Sequence, residues 1–337
     1  MISKIEKTLV LFFLIITSVP AVFAHTPLKP GEENNSLDTA FNIPNPTKSW
    51  TLYRELHEAG EAEYFKLRLH EGDKFVVSVY TPRSAESSFI PNLIAMGPSI
   101  EQHSLVPSTI EVPEGAEATL IEGSRPEVPE YEPFTPASYY FTAEYRADVR
   151  VEGDYYFAVY SDDGEGRYGV AVGYVETFTL MEWLMIPLDV IGIHQWEGQP
   201  LASILAPMAL TLALGLIILF WKLKTVGGVA NFLGVLAGLL YIGSGFMLFT
   251  QTFIALIGAI STSLVIMTLV LAMLPVVLGG LLLRKMVSYN VPWTVRDRVI
   301  MAVFSILGLA LWAGLLVGPI LVIVVSILPR ARSQNKL

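Results

Sequence analysis

The chain has 337 residues, with 22 Lys+Arg against 31 Asp+Glu, a formal net charge of −9, 53% hydrophobic residues and no cysteine. Zero cysteine excludes thiol catalysis, zinc–thiolate sites, Fe–S clusters and thiolate copper sites. The charge is split: residues 25–198 hold 29 Asp+Glu and 11 Lys+Arg, whereas 199–337 hold 9 Lys+Arg and a single acid, Asp297. An acidic segment of this kind argues against nucleic acid, which needs Lys and Arg to neutralise its phosphates.

In chain order, residues 1–24 read as a secretory leader. Lys4 and Lys7 form a basic start, Leu9–Ile16 an apolar run, and Val22-Phe23-Ala24 a small-x-small cleavage signal before His25. Residues 25–47 read as an N-terminal extension. Within it Asn34-Asn35-Ser36 is a glycosylation triplet that suits an exposed, flexible segment.

From 48 to 176 the pattern predicts an all-β sandwich or jelly roll. Tyr64-Phe65-Lys66-Leu67-Arg68-Leu69 alternates, with Phe65, Leu67 and Leu69 on one face. Glu71-Gly72-Asp73 turns the chain into the β-branched run Lys74–Tyr80. Asp154–Tyr160 and Arg167–Tyr174 flank Ser161-Asp162-Asp163-Gly164-Glu165-Gly166, two strands and a hairpin turn. Short strands at this spacing imply two antiparallel sheets. The stretch 97–138, with seven prolines, departs from the pattern.

Two passages carry a family resemblance. Gly60-Glu61-Ala62-Glu63-Tyr64-Phe65-Lys66-Leu67, followed by Glu71-Gly72-Asp73-Lys74, is similar to the opening of pre-peptidase C-terminal-type (PPC-like) β-sandwiches. Glu152–Tyr160 resembles the closing strand of that family. The resemblance implies an accessory, non-catalytic module that binds surfaces or partners, and it supplies no active-site residues.

Residues 177–200 are too interrupted to span a bilayer. Trp183 and Trp196 bracket the segment, and Trp favours the membrane–water boundary, so the segment is expected to lie on the outer surface of the membrane domain. Asp189, His194 and Glu197 are candidates for a polar cluster between the two halves. Hydropathy then predicts an all-α bundle of about four transmembrane helices, near 201–221, 228–249, 253–283 and 299–328, and a basic tail over 329–337. With the β domain outside, four spans place Lys222, Lys224, Arg284, Lys285, Arg296 and Arg298 inside, but leave Arg330, Arg332 and Lys336 outside, against the positive-inside rule. No Asp, Glu, Lys, Arg or His falls within these spans, which counts against an ion-coupled transporter acting alone. Gly234 and Gly238 form a GxxxG for helix packing, inside the bundle or in a homo-oligomer. Pro275 and Pro319 are expected to kink their helices.

Two metal readings arise. Cleavage after Ala24 would make His25 an N-terminal amine–imidazole chelate for copper, with His57, His70 or His103 as a further ligand. Asp162, Asp163 and Glu165 offer carboxylates to calcium. No Walker A, G-x-S-x-G or H-E-x-x-H motif is present, so no catalytic residue is assigned. The sequence therefore reads as a multi-pass cell-membrane protein with a large extracytoplasmic domain. That domain is expected to bind a ligand or another membrane or cell-surface protein. The alternatives are a copper-handling protein built on His25 and an accessory subunit of a multi-protein transporter.

Overall fold

The structure, a computed structural model, describes residues 25–29, 31, 34–222, 228–259, 263–288 and 293–328. The leader and the basic tail expected from the sequence lie outside the described residues.

Eleven strands come first: β1 (Thr26–Pro27), β2 (Phe41–Asn42), β3 (Trp50–Leu56), β4 (Ala62–Leu69), β5 (Lys74–Pro82) and β6 (Asn92–Gly97). They continue as β7 (Glu117–Ile121), β8 (Glu130–Glu132), β9 (Ala137–Asp148), β10 (Gly153–Tyr160) and β11 (Gly166–Val172). One sheet has the order β1-β3-β11-β5-β9-β8 and the other β2-β4-β10-β6-β7. Pairing is antiparallel except at two edges, where β1 runs parallel to β3 and β2 parallel to β4. The stretch 25–47 is thus no loose extension, because its two short strands edge both sheets.

The sheets share one core. Leu52, Phe75, Val77, Val79 and Val170 of the first meet Phe65, Leu67, Leu69, Leu93 and Phe157 of the second, all buried. Each such side chain stabilises the fold by about 1.5–3 kcal/mol relative to exposure. The alternation expected in β4 holds for Phe65, Leu67 and Leu69, but Tyr64, on the opposite face, is buried as well. The proline-rich chain between β6 and β7 folds over that outer face. Ile110 packs beside Tyr64, and the Glu111 N–H donates to the Tyr64 hydroxyl at 2.9 Å. The same stretch supplies β7 and β8, each at a sheet edge, where strands tolerate nearby proline.

Six helices follow among the described residues, not about four: α1 (Leu180–Trp196), α2 (Leu201–Lys222), α3 (Val229–Leu256), α4 (Ser263–Ser288), α5 (Val295–Ala310) and α6 (Val317–Ile327). Three, within α2, α3 and α4, are long and apolar enough to cross a membrane. The expected fourth span, 299–328, is instead a helical hairpin broken at 311–316. The break is made by backbone conformation: Trp312, Gly314 and Leu315 all have positive φ (48°, 68° and 58°). Pro319 therefore sits in the first turn of α6, where its missing N–H costs nothing, and kinks no helix.

The bundle has two distinct ends. At one, Lys285 of α4 pairs with Asp297 of α5 at 2.7 Å, and Arg298 donates to the Ser326 and Ile327 carbonyls that end α6. At the other, α1, the start of α2 and the α3–α4 tip meet the sheets. Consequently α6 ends where α5 begins, at the end away from the sheets. Close approach holds α3 against α4: a Cβ on Gly234 would lie 2.2 Å from the Met286 sulfur, and one on Gly279 would lie 2.5 Å from the Gly238 carbonyl oxygen. The GxxxG glycines face α4 of the same chain.

Candidate functional site at the joint

The segment 177–200, expected as an interfacial element, folds into α1, and both its ends are fixed to the β domain. Thr179 and Glu182 form a reciprocal capping box. The Glu182 carboxylate also accepts from the Lys48 ammonium at 2.7 Å, and that ammonium lies 4.1 Å over the Trp50 ring. Burial opposes ionisation of Glu182, but the Lys48 and Thr179 donors outweigh it and hold its pKa below the usual carboxylate value.

At the other end Trp196 inserts into the outer face of the first sheet. Its ring packs edge-on against Tyr53 at 4.8 Å, with Tyr80 and Tyr139 each at 6.3 Å. Its indole N–H donates to the Arg54 carbonyl at 3.0 Å, and its own carbonyl accepts from Arg167 at 2.8 Å. Gly169 of β11 makes room for this layer, since a Cβ there would lie 2.2 Å from the Tyr80 ring.

A polar chain then runs from the sheet into the helices. The Tyr139 hydroxyl donates to Glu197 at 2.7 Å, the other Glu197 oxygen meets His194 Nδ1 at 2.8 Å, and Ser84 donates to the Glu197 carbonyl. Gln199 and Gln251 exchange amide hydrogen bonds at 2.9 and 3.0 Å, tying the joint to α3. Burial, and then the Glu197 charge, push the Tyr139 phenol well above its ordinary pKa, so it stays a neutral donor.

The tip of α3–α4 makes the second contact. Ala255 and Val265 bury against Tyr131 of β8, and Arg83 donates to the Ile254 carbonyl. A bilayer core needs about 20 helical residues, so the 28 of α3 and 26 of α4 leave turns to spare, and these buttress the β domain.

Two cavities adjoin the joint. The smaller, about 30 Å³, is lined by His25, Thr51, Tyr53, Tyr80, Glu132 and Tyr139, among others. Glu132 accepts one N–H, from Phe134 at 3.0 Å, and burial pushes its carboxyl up to about 7, with that N–H opposing and the Glu176 charge adding. Burial lowers the pKa of the His25 imidazole, whose Nδ1 shares a 2.5 Å hydrogen bond with Ser49. The larger cavity, about 340 Å³, lies between β1, β3 and α1 and includes Lys29 and Asp189.

No protein-family model matches the chain, and no curated protein is similar to it.

The expected polar cluster at the joint is thus divided. His194 and Glu197 come together, while Asp189 turns to the larger cavity. Trp183 and Trp196 both have protein partners: Trp183 packs at a tilt against Trp312 at 5.2 Å, and Trp196 packs on the tyrosines. His25 lines the small cavity, but His57, His70 and His103 are exposed elsewhere. Asp162, Asp163 and Glu165 sit exposed in the β10–β11 turn. Among the described residues no group of three His, Asp or Glu is placed to hold a metal.

Asn34 overturns the glycosylation reading. It is buried, its amide nitrogen donates to the Tyr64 carbonyl and its oxygen accepts from Arg54 at 2.8 Å. Arg54 is itself clamped by Glu63, which also accepts from Tyr168, giving a buried polar group that the sequence did not disclose.

Proposed function

We propose that this is a membrane protein holding a jelly-roll binding domain at fixed orientation on the extracytoplasmic end of its helices. The domain acts by engaging a partner, without catalysis. One observation carries the reading: the joint is stapled at both ends, by Lys48–Glu182 and by Trp196–Glu197 against the sheet tyrosines, and is buttressed by α3–α4. A tether would be Gly/Ser-rich and free of such contacts.

The strand order supports the jelly-roll reading, because β3, β4, β5 and β6 alternate between the sheets and so do β9, β10 and β11. The PPC-like resemblance fits the same plan, since its two stretches fall largely on β4 and β10, which pair along their lengths. The leader pattern favours export of residues 25–198. α5 and α6 form a hairpin whose outer ends meet through Arg298, so the chain returns to the side it left and all nine Lys and Arg of 199–337 fall on the cytoplasmic side. That removes the conflict that four spans create.

For the partner we favour another membrane protein. α2 is the least covered of the three long helices, 11% buried, and presents Leu210, Leu214, Ile217 and Ile218 outward. The accessory-subunit alternative shares this feature. The copper alternative has only His25 and its cavity behind it.

The test uses the cysteine-free background. Spin labels at Asp163→Cys and Val295→Cys in the full chain should give one narrow distance distribution, broadened by Trp196→Ala. A broad distribution in the otherwise native chain overturns the fixed-orientation reading. A photo-crosslinker at Leu214 should yield a defined protein adduct in native membranes; lipid adducts alone would refute the membrane-protein partner.

A further inference from the structure

The larger cavity is a cleft of about 340 Å³, within the size range of small-molecule sites, and it lies between two structural units, where such sites concentrate. Its opposite walls carry opposite charges. Lys29 follows β1 on one side and Asp189 stands on α1 on the other. The Lys29 charge acts on Asp189, yet among the described residues the two do not come within the 4.0 Å of an ion pair. Arg54, also in the lining, is committed to Glu63 and Asn34 and offers no spare charge. The half-buried Asp189 carboxylate has its pKa raised by burial, with Lys29 only partly opposing. Leu28 and Leu188 supply apolar walls, and Gly192 leaves its share of the cleft open, since a Cβ there would meet nothing within 4 Å.

We propose that this cleft binds the headgroup of a zwitterionic phospholipid with a primary ammonium, of the phosphoethanolamine type. The ammonium donates to Asp189 and the phosphate accepts from Lys29, so the ligand bridges two charges that the fold holds apart. Charge-assisted hydrogen bonds of this kind are the strong ones. The choice of a lipid follows from α1, which forms one wall and exposes Leu180, Met181 and Leu188. On a helix lying at the membrane surface those residues meet acyl chains while Asp189 meets the headgroup layer. A quaternary choline cannot donate to Asp189, and a glycerol headgroup carries no cation. The inference rests on the reading of α1 as an outer-surface helix.

The test is the melting temperature of the full chain in micelles doped with dioleoyl phosphatidylethanolamine, phosphatidylcholine or phosphatidylglycerol. The ethanolamine lipid should stabilise most, at the lowest dose. Asp189→Asn and Lys29→Gln should each raise the required dose about tenfold, as expected for losing one charge-assisted hydrogen bond. Gly192→Leu fills the cleft without touching either charge, and should abolish the preference among the lipids while leaving the melt in phosphatidylcholine no lower than that of the native chain. Equal effects of the three lipids, or a preference that survives Gly192→Leu, overturn the proposal. Stabilisation by soluble phosphoethanolamine without any by the lipid overturns the lipid assignment. The spin-label distances at Asp163 and Val295 are read separately, so a failed cleft and a failed joint are told apart.

Discussion

Glu132→Gln isolates a carboxyl that, among the described residues, burial carries into the neutral range. Its pKa rises from 4.5 to about 7 in the folded protein. Between those values the folded state keeps a proton that the unfolded state has released, so stability falls as pH rises. The total is about 3 kcal/mol by pH 8, at 1.36 kcal/mol per pKa unit. Gln keeps the shape of the neutral acid and does not titrate. The variant should therefore exceed the native chain only slightly at pH 5, by about 1 kcal/mol or less, and by the full amount at pH 8. A melt of the β domain should then differ by roughly 6–12 °C at pH 8, at about 2–4 °C per kcal/mol for this size. His25 works the other way: its lowered pKa adds stability as pH rises toward 6.5, but both proteins share it and the difference cancels it. The assay is intrinsic tryptophan fluorescence of the full chain in detergent from pH 5 to pH 8, with Trp196 reporting the joint. A difference that stays flat across this range refutes the account of the cavity.

The α3–α4 contact makes a paired prediction about adjacent glycines. Gly279→Val must push the Gly238 backbone away and should cost about 1–3 kcal/mol or more, whereas Gly280→Ala meets open space and should be neutral or slightly stabilising; detergent melts of both variants decide it. Tyr139→Phe deletes the donor to Glu197 in a buried setting and should destabilise by about 1–3 kcal/mol, with faster protease cleavage between α1 and β11. Cleavage as slow as in the native chain would make that hydrogen bond incidental.

Much of the architecture was legible in the sequence because the signals were periodic or global. The alternation in Phe65, Leu67 and Leu69 set the inner face of β4, the Gly/Asp turn at 161–166 set the β10–β11 hairpin, and the charge split set the boundary between sheets and helices. What escaped depended on contacts distant along the chain. Tyr64 and Tyr80 look like solvent-facing strand residues until the proline-rich chain covers one and Trp196 the other. β1 and β2 are two residues long and exist because β3 and β4 offer them edges. The α5–α6 break falls in Leu311-Trp312-Ala313-Gly314-Leu315-Leu316, a run too apolar to interrupt hydropathy; only Gly314 hinted at it. Of the joint, Trp196, His194 and Glu197 were visible as a composition, but their tyrosine partners lay on three different strands. Glu132 sat unremarked between Tyr131 and Pro133, because burial, which raises its pKa, has no local signature.

Single-cysteine labelling with a membrane-impermeant maleimide tests the central claim most directly. It requires Glu165→Cys in the β10–β11 turn, Val295→Cys at the start of α5 and Ile327→Cys at the end of α6, positions all exposed in the fold. The account predicts labelling at 165 in intact cells, and at 295 and 327 only after permeabilisation. Labelling at 295 in intact cells, protection at 165, or opposite behaviour of 295 and 327 would contradict it.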